Sequence, residues 1–416
     1  MNKSRPWQWV PTLYFVEGLP YILITVVSVI LYKRMGISNE AIGLYTSWLY
    51  LPWVLKPLWS PLIELIGTKR QWFLWMQCLG ALSFIGVGLT LPSTAFFTWS
   101  IALFWLAAIW SATHDIAADG FYMLALPTDQ QAYFIGIRSS FYRLAMVAGQ
   151  GGLVIIIGLM EDSWEDVPKA WMVGMCMAGG VMLLLTIVNA FVAPRIEEIR
   201  QVAAGWKGFA EVFIRFFQKK NIGIGLAFIL CYRLGESQLV KMASPFLLDN
   251  ASEGGLGLTT VQIGGIYGTI GLIALSIGGI VGGYLISRDG LKRWLLPMAL
   301  ALNLPNLLYI YLAATQYAGL ELIISVVIVE QFGYGFGFAS FLMYTIYLAE
   351  GSSKTAHYAL ATGFMAMGMM FPGMISGYIQ AWLGYTGFFI WVAIAGIPGI
   401  LLLPYLKIPA NYGRKS

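Results

Sequence analysis

The sequence predicts an all-α polytopic membrane protein with twelve transmembrane helices in two six-helix halves. Three observations carry this. First, 58% of the 416 residues are hydrophobic and only 11% are charged, against about a quarter charged in a soluble domain. Second, the apolar runs are continuous and ~20 residues long, which suits spanning helices and not the alternating strands of a β-barrel. Third, one long polar stretch divides them, "APRIEEIRQVAAGWKGFAEVFIRFFQKKN", from Ala193 to Asn221.

The spans are expected at 9–32, 40–64, 71–92, 97–127, 132–160 and 170–193, then at 222–248, 260–286, 292–315, 318–349, 355–382 and 385–406. The first run is too long for a signal-peptide core and no A-x-A site closes it, so it is expected to remain as a span. The polar stretch sets Trp206, Phe209, Val212, Phe213 and Phe216 at helical spacing, as in a helix lying on the membrane surface. The expected organisation is an N-terminal bundle over 1–193, an amphipathic linker over 194–221 and a C-terminal bundle over 222–416. Basic residues gather in the loops that share a side with the termini, among them Lys69, Arg70, Arg195, Arg200, Lys207, Arg288 and Arg293. The opposite loops hold Lys33, Arg34 and Lys169. The positive-inside rule then places both termini in the cytoplasm and the protein in the cytoplasmic membrane. Cys78, Cys176 and Cys231 each stand alone in apolar runs, so neither a disulfide nor a metal site is expected. The net charge of +5 comes from the loops and implies no nucleic-acid partner.

A short motif recurs. "ELIGTKR", Glu64 to Arg70, follows the second span, and "SRDGLKR", Ser287 to Arg293, follows the eighth. Both read polar-x-x-Gly-x-Lys-Arg, and Gly67 and Gly290 suit tight turns. Basic turns belong on this side by topology alone, but the matched spacing at equivalent places marks an internal repeat. Two repeated six-span halves form a transporter architecture whose site lies near the bilayer midplane, between the halves. The turn resembles the signature loop of the major facilitator superfamily, with Ser287 standing where the first copy has Glu64. Glu64, Gly67, Lys69, Arg70, Arg288, Gly290 and Arg293 are the candidate gating-loop residues.

Ionisable residues inside spans are the candidate site, because each costs roughly 2.5–3.5 kcal/mol on insertion scales at a helix centre. The first span carries Glu17 between Tyr14 and Tyr21 on one face, and the second carries Lys56 among Pro52, Pro57 and Pro61. The fourth carries His114, Asp115 and Asp119, and the fifth Arg143 with Ser139 and Gln150. The seventh holds Arg233, Glu236 and Lys241, the tenth Glu330, Gln331 and Tyr334, and the eleventh His357. At ~1.5 Å per residue Asp115 lies about 18 Å from the end of its span, and Arg143 a similar distance into the next, so the two are allowed to pair. A buried pair is weak evidence of stability and better evidence of a switch or a polar cavity. Asp115 and Asp119 share a helix face with Ser111 and Tyr122, and two acids that close favour protonation of one. They are the candidate proton-coupling residues. The candidate substrate-cavity residues are Tyr14, Glu17, Tyr21, Tyr122, Arg143, Gln150, Tyr232, Arg233, Glu236, Glu330 and Tyr334; the tyrosines suit stacking on sugar rings. His114 points about 100° away from Asp115 and is expected to pack or hydrogen-bond instead. The pairs Gly264/Gly268, Gly278/Gly282, Gly279/Gly283 and Gly373/Gly377 predict close helix packing, and Pro372 a bend.

With these residues in view, the chain resembles the AmpG-type muropeptide permeases of the major facilitator superfamily. The likeness runs through "EGLPYIL", "LKPLWSPLIE", "HDIAADG", "FYRLAM", "CYRLGES", "EQFGYGFGFASF" and "HYALATGFMAMGMMFPGMISGY", in that order. It implies proton-driven import of anhydromuropeptides, which are built on N-acetylglucosamine and anhydro-N-acetylmuramic acid. It carries over Asp115, Asp119, Glu236 and Glu330 as functional acids. Past Asp119 the family places a lysine and a further aspartate before the closing Leu-Pro, where this chain has Tyr122 and Leu124. A related carrier of amino-sugar fragments fits that loss of charge. The "D-I-A-x-D-G" form is also similar to acetyl-CoA transporters of the same superfamily. The expected partners are a small solute (muropeptide or amino-sugar disaccharide), protons and the lipid bilayer, with the chain acting as a monomer and no cofactor or metal. No H-E-x-x-H, G-x-S-x-G or P-loop pattern occurs, so an enzyme is not expected. No further soluble domain is seen through which a sensor would signal.

Overall fold

Inside hydrocarbon a backbone has no water to bond to, so each apolar run must close its own hydrogen bonds as a helix. The computed structural model describes residues 6–126, 128–196, 213–316, 319–350 and 354–414, and no strand occurs among them. Helix α1, Pro6–Arg34, loosens into a π turn at Leu23–Val27, three residues past Pro20. The second expected span is two helices, α2 (Asn39–Trp48) and α3 (Leu51–Leu65). Pro52 has no N–H to give the Trp48 carbonyl, so the ladder breaks there. Helix α4, Lys69–Thr90, opens on a capping box in which the Thr68 and Gln71 side chains each accept from the other's backbone N–H. Helix α5 is Phe96–Ala125. Helix α6 runs from Thr128–Met146 through a π segment, Val147–Leu153, into Val154–Trp164. Helix α7, Val167–Val192, is capped by Asp166, which accepts from the Lys169 N–H at 3.0 Å.

The seventh expected span is also broken, into α8 (Ile222–Cys231) and α9 (Leu234–Leu248). Helices α10 (Thr260–Asp289), α11 (Leu291–Thr315) and α12 (Leu320–Ala349) follow, then α13 (Lys354–Ala395). The non-helical residue within α13 is Gly384, with φ +66°, at the expected boundary of the last two spans; Pro372, where a bend was expected, lies inside the helix. Nine helices among the described residues are long and apolar enough to cross a membrane. The breaks in α2–α3 and α8–α9, and the continuity across Gly384, are where this figure parts from the expected twelve. Residues 197–212 of the linker, with Arg200, Trp206, Lys207, Phe209 and Val212, lie outside the described residues. Phe216, expected on the membrane surface, is fully buried with its ring 5.4 Å from His357.

The chain forms two compact units. The first contains Met1–Gly36, Leu55–Ala203 and Thr260–Gly268. Its core sets Trp9, Phe73 and Phe121 edge to face, with Phe121 5.1 Å from each of the other two. Helix α6 and the start of α10 meet through glycines: a Cβ on Gly158 would lie 2.6 Å from the Val261 nitrogen, and one on Gly264 2.9 Å from that of Ile155. The second unit contains Ile37–Val54, Ala204–Thr259 and Thr269–Ser416. There Gly278 and Gly282 of α10 lie against Phe332 and Phe336 of α12, and Gly373 and Gly377 of α13 against Ser47 and Asn39 of α2. Gly283 faces open space.

Gly278→Leu drives a side chain into the Phe332 carbonyl and is expected to cost about 1–3 kcal/mol or more, seen as a lower melting temperature in detergent. Gly283→Leu is expected to melt like the native protein. The outward faces are apolar, with Phe191 86% and Trp382 84% exposed, a surface that belongs in hydrocarbon.

Candidate functional site

In the first unit, helical spacing puts Asp115, Asp119 and Tyr122 on one face of α5. Tyr14 and Glu17 of α1, Lys56 of α3 and Arg138 of α6 meet that face. Lys56 Nζ forms an ion pair with Asp115 Oδ2. Arg138 Nη2 lies 2.8 Å from Asp119 Oδ1, and the Tyr14 hydroxyl donates to the same oxygen at 3.0 Å. The Arg138 guanidinium sits 4.4 Å from the Tyr14 ring centre and 5.1 Å from that of Tyr122. The two rings meet edge to face at 5.8 Å. A planar cation set against two aromatic rings is a role that suits arginine better than lysine. The cluster thus holds three carboxylates and two cations. Glu17 is 9% exposed, and its Oε2 has no hydrogen-bond partner among the described residues.

Depth allowed Arg143 as a partner for Asp115; the cation paired with it is Lys56. Arg143 is half-buried on α6, and Tyr21 faces Tyr142 of α6 at 6.3 Å. Gln150 is buried in the π segment of α6, its carbonyl against Gly268. His114 takes the expected packing role. Its Nε2 meets the Gln77 amide at 3.0 Å, Gln77 accepts from Asn189 at 3.3 Å, and Asn189 accepts from Thr12 at 2.6 Å.

The second unit repeats the design. At the break between α8 and α9, Arg233 leaves helical geometry, with φ −107° and ψ 19°. Its Nε donates to Glu236 Oε2 at 2.8 Å and its Nη2 to the Tyr334 hydroxyl at 2.6 Å. The guanidinium lies 5.1 Å from the ring centres of both Tyr334 and Phe338. Each unit therefore holds an arginine paired with an acid and laid over a tyrosine. Glu330 accepts from Gln331 at 2.9 Å and, at the long limit of 3.5 Å, from the Tyr309 hydroxyl. Tyr232 packs elsewhere: it stacks on Phe341 at 5.2 Å and bonds the Gly337 carbonyl and Ser340. Lys241, fully buried, donates to Thr46 at 3.0 Å and lies 5.1 Å from the Tyr50 ring centre.

The repeated turns use their glycines as read from the sequence, with φ +68° at Gly67 and +90° at Gly290. The Lys69 stem lies directly against Gly120, and Arg70 donates to the Ala193 carbonyl at 3.0 Å. The Glu64 side chain lies outside the described residues. In the second copy Asp289 supplies an acid two residues after Ser287: it accepts from Arg288 at 2.8 Å and from the Trp294 indole at 2.9 Å, with Arg293 at 3.9 Å.

Sequence reasoning passed over Arg138 altogether and gave Lys56 no role. Their signal was present, since each is a cation inside or at the edge of an apolar run. It also passed over Glu161, which accepts from Arg34 at 3.0 Å, from the Trp171 indole at 2.6 Å and from Thr260 at 2.5 Å.

The profile of the Major Facilitator Superfamily matches residues 12–350. The chain belongs to the major facilitator superfamily. It is accordingly a membrane transporter. Among relatives, the anhydromuropeptide permease of Escherichia coli is 27% identical over 411 residues, covering 97% of this chain and 80% of that one. A Rickettsia conorii protein named putative transporter AmpG 4 is 23% identical over 410 residues, covering 96% of each. Among solved structures, the nucleoside transporter NupG superposes with a TM-score of 0.72 at 15% identity, covering 98% of this chain and 100% of that one. This last likeness establishes the superfamily fold.

Proposed function

We propose that this transporter is a proton-coupled symporter that imports amino-sugar glycan fragments of the muropeptide class by alternating access. The observation that carries the reading is the Tyr14–Arg138–Tyr122 stack joined to Asp119, within a cluster that has one carboxylate more than its cations. Aromatic faces pack against the apolar faces of pyranose rings, while the guanidinium and carboxylates meet hydroxyl and acetamido groups. A carboxylate in excess gives a proton a place to bind. The relative named as an anhydromuropeptide permease supports the same solute class.

In this reading twelve spans form two halves, 1–193 and 222–416, joined by the linker 194–221, with both termini in the cytoplasm. The first half supplies Tyr14, Glu17, Tyr21, Asp115, Asp119, Tyr122, Arg143 and Gln150 to proton and solute. The second supplies Arg233, Glu236, Glu330 and Tyr334, with Tyr232 packed away from them on Phe341. The turns at Glu64–Arg70 and Ser287–Arg293 gate the cycle. Acetyl-CoA fits less well, because its phosphates need a surplus of cations and the first cluster has a surplus of acids.

Counterflow in proteoliposomes tests the solute class. Labelled N-acetylglucosaminyl-anhydro-N-acetylmuramic acid is expected to exchange saturably, with excess acetyl-CoA leaving the exchange unchanged. Exchange of acetyl-CoA in place of the disaccharide would contradict the reading.

A further inference from the structure

A carboxylate taken out of water must find a cation, a set of donors or a proton. The first cluster sorts its three acids unequally. Asp115 has Lys56, and Asp119 has both Arg138 and Tyr14. Their side chains also keep 22% and 41% of their exposure, so water still supports their charge. Glu17 is more deeply buried than either, and its buried Oε2 has no hydrogen-bond partner among the described residues. The groups that act on it are Asp115 and Asp119 from α5, Lys56 from α3 and Arg138 from α6, beside Tyr14 on its own helix. Both cations already hold another carboxylate, and the Tyr14 hydroxyl is turned to Asp119. Helix α7 presents Asn189, which is bonded to Thr12.

We propose that Glu17 is the residue that carries the coupling proton, while Asp115 and Asp119 stay ionised on Lys56 and Arg138. This rests on the proton-coupled reading above and assigns the proton within it. A proton adds to the Glu17 carboxylate to give the neutral acid, and its release on the other side restores the anion. With Glu17 ionised, three negative charges share two cations, and Arg138 is drawn toward Glu17 and away from its place against Tyr14 and Tyr122. With Glu17 protonated, Arg138 returns to Asp119 and the two rings, which are the surface offered to a sugar. Proton and solute are thereby linked through one guanidinium.

Infrared spectra of the protein in lipid vesicles at neutral pH test the assignment without any solute. The carboxylic-acid carbonyl band of a buried protonated side chain is expected in the native protein. The difference spectrum against Glu17→Gln should show that band lost, whereas the pair-deleted Lys56→Met/Asp115→Asn, which keeps one acid in excess of its cation, should retain it and Glu17→Asp should restore it. An unchanged band in Glu17→Gln, or its loss in Lys56→Met/Asp115→Asn, would overturn the assignment. A parallel measurement of disaccharide uptake under an imposed pH gradient keeps the two claims apart. Loss of the band in Glu17→Gln with native uptake indifferent to the gradient would overturn the coupling reading itself.

Discussion

Lys56→Met is expected to abolish transport and to destabilise the protein by about 3–5 kcal/mol, the usual cost of leaving one member of a buried ion pair without its partner. The pair it breaks is Lys56–Asp115, with the two side chains only 21% and 22% exposed. Asp115→Asn alone leaves the opposite imbalance, an unpaired ammonium, and is expected to be similarly costly. The double variant Lys56→Met/Asp115→Asn removes both charges together. It is expected to recover most of the melting temperature in detergent and none of the transport. Recovery of this kind is the mark of a pair, because two independent losses would add. A Lys56→Met protein that melts like the native one would show that Asp115 finds its cation elsewhere.

Arg138→Lys is expected to separate binding from folding. Lysine keeps the charge beside Asp119, so the ion pair's own contribution to stability should change by no more than about 1 kcal/mol. It loses the planar group that lies over Tyr14 and Tyr122. Two such contacts are worth about 0.5–2 kcal/mol each, so the KM for disaccharide uptake is expected to rise about tenfold or more. Asp119→Asn should act on the same step. An unchanged KM in Arg138→Lys would mean that the stack is packing and takes no part in solute binding.

Both predictions concern contacts that the sequence does not reveal, although their participants stand in plain view. The helices were legible to within a few residues, because a bilayer demands ~20 apolar residues per span and little else in this chain is so long and greasy. The break before Pro52 follows from proline's missing N–H. The break at Tyr232–Arg233 has no such mark; there the backbone turns to lay Arg233 over Tyr334. Asp115 and Asp119 were legible as a shared face, since that needs only the helix period. Their cations were not, because pairing across helices depends on which helix is the neighbour and how far a side chain reaches. Depth allowed Arg143 to pair with Asp115, and nothing in the helix period marks Lys56 or Arg138 as the cations that do. The degenerate second turn is similar: Asp289 stands two residues after Ser287, and only the folded turn shows it gathering Arg288, Arg293 and Trp294.

In the proposed cycle solute and proton move together. Proteoliposomes loaded with a pH-sensitive dye measure this directly. Adding N-acetylglucosaminyl-anhydro-N-acetylmuramic acid outside is expected to acidify the lumen in the native protein and to leave it unchanged with Glu17→Gln. Solute entry with no accompanying proton, and indifferent to a protonophore that collapses the gradient, would contradict the account.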